Sequence, residues 1–171
     1  MAHESRLNLE LRSLLQAQRV ATLGTLCEDG APLVSMVPFA IETGRACLVI
    51  HVSGLATHTR NLQASPTVSV LVMRAEVQGE PVHALPRVTL AGQAELLVPA
   101  TPAWEAFRAA YLARFAQAEP MTQLGDFMFV AVHVSAARQV AGFGAARSLD
   151  AQALAQLLRE PVASNGLSRD D

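Results

Sequence analysis

The chain has 171 residues, 51% of them hydrophobic and 16% charged, with a formal net charge of −2. That length suits a single domain with a real core, and the composition excludes a disordered chain. No basic excess is present for phosphate neutralisation on nucleic acid; all 13 cations are arginine, which excludes lysine Schiff-base and phosphate-loop chemistry.

The first element is a helix that Ser5 can cap, with Leu7, Leu11, Leu14 and Leu15 on one face. From Val20 the period changes to two. A strand over Val20 to Leu26 leads through the turn Glu28-Asp29-Gly30 into a second strand from Ala31 to Ile41. Thr43-Gly44 is the next turn, and Ala46 to Val52 is apolar on both faces, as a central strand must be. A short helix over Leu55 to Gln63 stops before Pro66, and Thr67 to Arg74 alternates as a fourth strand. Glu76 to Leu85 reads as a loop, and Arg87 to Val98 as a fifth strand. Thr101-Pro102 opens a helix whose Trp104, Phe107, Tyr111 and Phe115 form one aromatic stripe for packing on the sheet. Asp126 to Val134 and Arg138 to Phe143 are the sixth and seventh strands. Residues 150 to 158 form a last helix before a polar tail, Asn165 to Asp171, expected to be mobile. Strands joined mainly by hairpins predict an antiparallel barrel with flanking helices.

No segment has the length of a membrane span, and Met1 to Arg6, with an acid and no apolar run, does not read as a secretory signal. Cys27 and Cys47 lack CxxC spacing and read as buried thiols of a reducing compartment, a disulfide being the alternative, so a cytoplasmic protein is expected. The five histidines are scattered, which predicts no metal site. Gly142-Phe143-Gly144 lacks the rest of a dinucleotide fingerprint, no nucleophile elbow occurs, and no catalytic acid, base or nucleophile can be assigned.

The chemistry-bearing segment is Ser53 to Leu62, where a buried strand ends and a helix begins. Such a junction offers backbone amides and the positive end of a helix dipole to an anion. Ser53, Thr57, His58, Thr59, Arg60 and Asn61 add side-chain donors, leaving Leu55 and Leu62 for the core. A polar face on an ordinary amphipathic helix is the alternative. Beside it runs Pro32 to Phe39, apolar with one serine, and Pro38 has no ladder donor.

These two segments, together with Ser65-Pro66, Leu85-Pro86-Arg87, Gly125-Asp126-Phe127 and Val140 to Gly144, resemble the FMN-binding split-barrel proteins related to pyridoxamine-phosphate oxidase. The form Ser-x-Leu-Ala-x-His-Thr-x-Asn-Leu is similar to the haem-utilisation subgroup. The resemblance spans roughly residues 8 to 150. It implies a six- to seven-stranded antiparallel split β-barrel as one domain over residues 1 to 150, ahead of a short helix and tail over residues 151 to 171. It implies a homodimer with FMN in interface grooves. Ser35, Met36 and Val37 would line the flavin; Ser53, His58, Thr59, Arg60 and Asn61 would hold the phosphate and ribityl chain; Arg87 would approach the ring, its alternative being an ion pair with Glu95 or Glu76. His58 replaces the lysine of the oxidases, which would make phosphate binding weaken as the imidazole deprotonates.

The vitamin oxidases' C-terminal arginine–histidine region is absent, which argues against that reaction. The expected activity is an FMN-dependent oxidoreductase passing hydride or electrons between a small-molecule substrate and a donor such as NAD(P)H, with the redox chemistry supplied by the flavin. A flavin- or haem-binding protein without turnover is the alternative, and a deazaflavin reductase a third reading. For haem, His51 on the central strand and His83 in the long loop are the conceivable axial ligands, each with a plain structural reading beside it.

Overall fold

The computed structural model describes residues 5–160. Helix α1 (Arg6–Ala17) starts where the Ser5 side chain accepts the Asn8 amide, and it buries Leu11, Leu14 and Leu15. At its far end the Arg114 guanidinium donates to the carbonyls of Leu15, Gln16 and Gln18. A cation there is favourable because the last carbonyls of a helix lack internal donors.

Strands β1 (Val20–Leu26), β2 (Pro32–Glu42) and β3 (Cys47–Ser53) form an antiparallel meander. Gly30 closes the first hairpin at φ +82°, a region that other residues enter at a cost. The Glu42 carboxylate closes the second by accepting the amides of Gly44 and Arg45 at 3.0 and 2.7 Å. Helix α2 (Thr57–Ala64) leads to β4 (Thr67–Met73), and a 3-10 turn at Val82–Ala84 interrupts the following loop. Then come β5 (Arg87–Leu96), α3 (Pro102–Arg114), 3-10 turns over Ala116–Gln123, β6 (Phe127–Gly142), β7 (Ala145–Asp150) and α4 (Ala151–Arg159).

The strand order is β3-β2-β1-β4-β5-β6-β7, and β3 also pairs with β6. Six strands therefore close into a barrel with β7 added outside the closure. Leu23, Phe39, Leu48, Ile50, Val70, Val88, Leu90 and Val130 fill its interior. A second cluster lies outside the wall, where Phe107, Tyr111 and Phe115 of the α3 stripe cover Cys47, Val49 and Phe129. Covered on both sides, β3 is buried from Cys47 to Val52, with His51 its one titratable imidazole.

The two separate final strands expected from sequence are instead one strand, β6, with an irregularity between Ala91 and Gly92 of its partner. A bulge bends the strand and lets it continue past residues that break the alternation. β7, unforeseen, occupies the stretch before the last helix, and Asp150 caps that helix by accepting the Ala153 amide at 2.9 Å. Leu55, expected in the core, is 84% exposed, because it sits in the turn ahead of α2 rather than on the helix's inner face. Cys47 is buried and Cys27 only half-buried, both as free thiols. Residues 1–4 and the expected tail at 165–171 lie outside the described residues. Among the described residues no helix is long and apolar enough to cross a membrane.

Candidate functional site

The β3–α2 junction is built by its own hydrogen bonds. Gly54 donates to the Asp126 carbonyl, and a Cβ at Gly54 would stand 3.0 Å from that oxygen. Thr59 is fully buried and its hydroxyl donates to the Ser53 carbonyl at 2.6 Å. Asn61 is buried as well, with its amide donating to the Thr25 hydroxyl at 3.0 Å and to the Cys27 sulfur at 3.6 Å. These two side chains staple α2 to the barrel. Ser53 spends its hydroxyl on the Leu55 amide.

His58 faces Ser35 across a 3.1 Å contact between Nδ1 and Oγ, and burial holds its pKa below the ordinary imidazole value. It adds no positive charge at neutral pH. The outward donors that remain are Arg60, resting on the Thr57 hydroxyl at 3.4 Å, and the amides of Thr57 and His58 in the first turn. Thr57 and Arg60 line a cleft of about 400 Å³ that Glu28 and Asp29 also line. A phosphate there would meet one guanidinium and two acids.

Alternation along β2 separates the three residues expected to line a flavin. Ser35 turns towards His58 and Val37 lies in the barrel core, 3% exposed, whereas Met36 stands 66% exposed on the outer face. Arg87 lies elsewhere. It opens β5, with Met73 and Val140 as its neighbours across the sheet, while α2 sits beside the far end, where Ala94 donates to the Pro66 carbonyl. At the usual rise per strand residue these ends are roughly 20 Å apart. One chain therefore does not bring Arg87 and the α2 donors to a single small ligand.

Arg87 has no acid partner among the described residues. Its Nη1 donates to the carbonyls of Leu85 at 3.0 Å and His83 at 3.4 Å, tying the preceding loop to the sheet. Around this end, Met73, Val77, Val82 and Phe143 are all exposed, Phe143 by 76%. Sequence reading missed this apolar rim; its signal was Val77, Val82 and Phe143 placed outside the strands, where no core receives them. Exposed apolar side chains beside a guanidinium offer a ligand apolar contact and one charge-assisted donor. No group of three or more metal-ligating side chains occurs among the described residues.

A family model described as pyridoxamine 5'-phosphate oxidase matches residues 7–141. Over 144 residues the chain is 28% identical to the heme oxygenase HutZ of Vibrio cholerae, spanning 84% of this chain and 81% of that one. It is 33% identical over 139 residues to the chloroplastic heme oxygenase HOZ of Arabidopsis thaliana, spanning 80% of this chain but 41% of the relative. Among solved structures, a heme binding protein from Mycobacterium smegmatis superposes with a TM-score of 0.79 at 32% identity, covering 91% of this chain and 62% of that one. The structure of Vibrio cholerae HutZ gives a TM-score of 0.69 at 27% identity, covering 75% and 89%. The chain thus spans less than two thirds of both HOZ and the Mycobacterium protein.

Proposed function

The chain belongs to the pyridoxamine 5'-phosphate oxidase family, and from that membership we propose that it is a haem-binding protein serving haem utilisation. The carrying observation is the Arg87 end of the barrel, where a guanidinium that donates only to backbone carbonyls, with no acid partner among the described residues, stands near exposed Met73, Val77, Val82 and Phe143. The naming of HutZ and HOZ as heme oxygenases supports the same reading. Bound haem supplies the iron and the redox chemistry; the protein contributes an apolar seat, a cation for a carboxylate and exclusion of water. No side-chain acid or base is required for that. We propose further that the working unit is a cytoplasmic homodimer, because a second copy can bring an α2 junction to the Arg87 end.

A flavin-dependent oxidoreductase drawing on a donor such as NAD(P)H is the second reading. It is favoured by one feature, the first turn of α2, whose Thr57 and Arg60 line the cleft. A titration decides between them. Haemin should give a saturable Soret band at one equivalent per chain, while FMN should leave the protein's fluorescence and sedimentation unchanged. Tight FMN uptake without a Soret band overturns the haem reading. With haem bound, loss of the band under ascorbate and dioxygen identifies turnover, and a persistent band identifies storage.

A further inference from the structure

Granted the haem reading, we propose that His83 is the side chain that ligates the haem iron. An imidazole ligand needs a ring nitrogen with a free lone pair and open space in front of it.

The described histidines differ sharply on both counts. His133 has both nitrogens engaged, Nδ1 with the Cys47 sulfur at 3.1 Å and Nε2 with the Glu95 carboxylate at 2.6 Å. His58 uses Nδ1 on Ser35 and sits at the α2 end of the barrel. His51 is 7% exposed and caged by Phe129, Phe127 and Tyr111, with ring centroids at 4.4, 5.1 and 5.7 Å. An approaching macrocycle would have to displace those rings. His83 is exposed, and neither of its ring nitrogens makes a hydrogen bond or ion pair among the described residues.

Its position agrees with its freedom. His83 stands in the Val82–Ala84 turn next to exposed Val82, on the loop that Arg87 anchors through the His83 and Leu85 carbonyls. One short segment thus presents a nitrogen lone pair, an apolar neighbour and, at its root, a guanidinium. Iron, macrocycle and carboxylate each find a partner there. Ligation forms one coordinate bond from nitrogen to iron, with no electron transferred.

The test uses the full chain loaded with haemin and read by absorption and electron paramagnetic resonance. The wild type should show an imidazole-ligated ferric spectrum. His83→Ala should lose that signature and bind haemin at least about tenfold more weakly, the loss that even indirect metal contacts cost. Added free imidazole should restore the spectrum. The substitution is at an exposed turn and should leave the circular dichroism unchanged; His83→Gln serves as a second variant. His133→Gln should retain the wild-type spectrum. An unchanged spectrum in both His83 variants, or a wild-type complex without an imidazole ligand, overturns the assignment while leaving haem binding intact. A wild type that takes up no haemin overturns the functional reading itself, and the ligand falls with it.

Discussion

At the scale of single residues, the informative polar groups are those whose partners lie within the fold. Thr59 and Asn61 carry donor-rich side chains that the sequence offers to a phosphate, yet both are buried and bonded to Ser53, Thr25 and Cys27. Sequence shows which donors a segment owns; only packing shows which are left over. His51 makes the same point from the side of cost. Its Nδ1 is buried without a partner, and desolvation lowers its pKa from 6.5 to about 4. The unfolded chain therefore takes up a proton near pH 6.5 that the folded chain refuses until about pH 4. Stability is whole above that window and is lost as pH falls through it, by up to about 3 kcal/mol for this one group. His58 shifts in the same direction, so the decisive quantity is a difference between proteins. Urea unfolding from pH 7 to pH 4 should show the wild type losing more stability than His51→Phe, whose ring suits the surrounding aromatic cage. Parallel losses in the two proteins would show that His51 carries no such penalty.

At the scale of elements, strand β6 shows why part of the fold was legible and part was not. The meander β1-β2-β3 was readable because Gly30 and Thr43-Gly44 mark its turns, β1 alternates with period two and β3 is a continuous apolar run. The α3 stripe was readable for the corresponding helical reason, and Phe107 is fully buried. By contrast, Ser135 and Ala136 break the alternation in β6 and resemble a connection. In the fold Gly92 opposes Val134 where Ala91 opposes Ala136, so Ser135 is the extra residue, and its hydroxyl donates to the Ala91 carbonyl at 3.2 Å. That irregularity depends on a contact between strands distant in sequence, which local pattern cannot carry. It also depends on glycine. A Cβ at position 92 would meet the His133 carbonyl oxygen at 2.4 Å, and the obstacle is backbone rather than a side chain that can swing away. Gly92→Ala should therefore destabilise the barrel by about 1 to 3 kcal/mol, the usual range for overpacking. A lower urea midpoint at unchanged slope is the expected result. An unchanged midpoint would mean that the β5–β6 contact is looser than this register implies.

At the scale of the whole molecule, the outer face of β2-β1-β4 exposes apolar side chains to water. Val34 and Met36 are 67% and 66% exposed, with Val20, Leu26 and Met73 also exposed around them. Register places Met36 beside Thr22 and Thr22 beside Leu71, and Val20, Met36, Leu71 and Met73 line one shallow cleft around that threonine. Patches of that kind on a folded chain ordinarily mark an interface. In the proposed homodimer a second copy covers it, because one chain separates Arg87 from the α2 junction by the length of β5 and a dimer can bring them together. None of this was legible from alternation alone. Outward apolar residues on β2 look in sequence like those of a doubly covered strand, and β3 is such a case. Met36→Asp places a charge in the middle of the patch without touching the barrel interior, so its cost falls on association rather than folding. The wild type should sediment as a dimer, and the variant as a folded monomer whose haemin affinity drops along with the lost partner. A wild-type monomer, or a Met36→Asp monomer that binds haemin as tightly as the wild type, would confine the ligand site to one chain and leave the exposed face without a role in it.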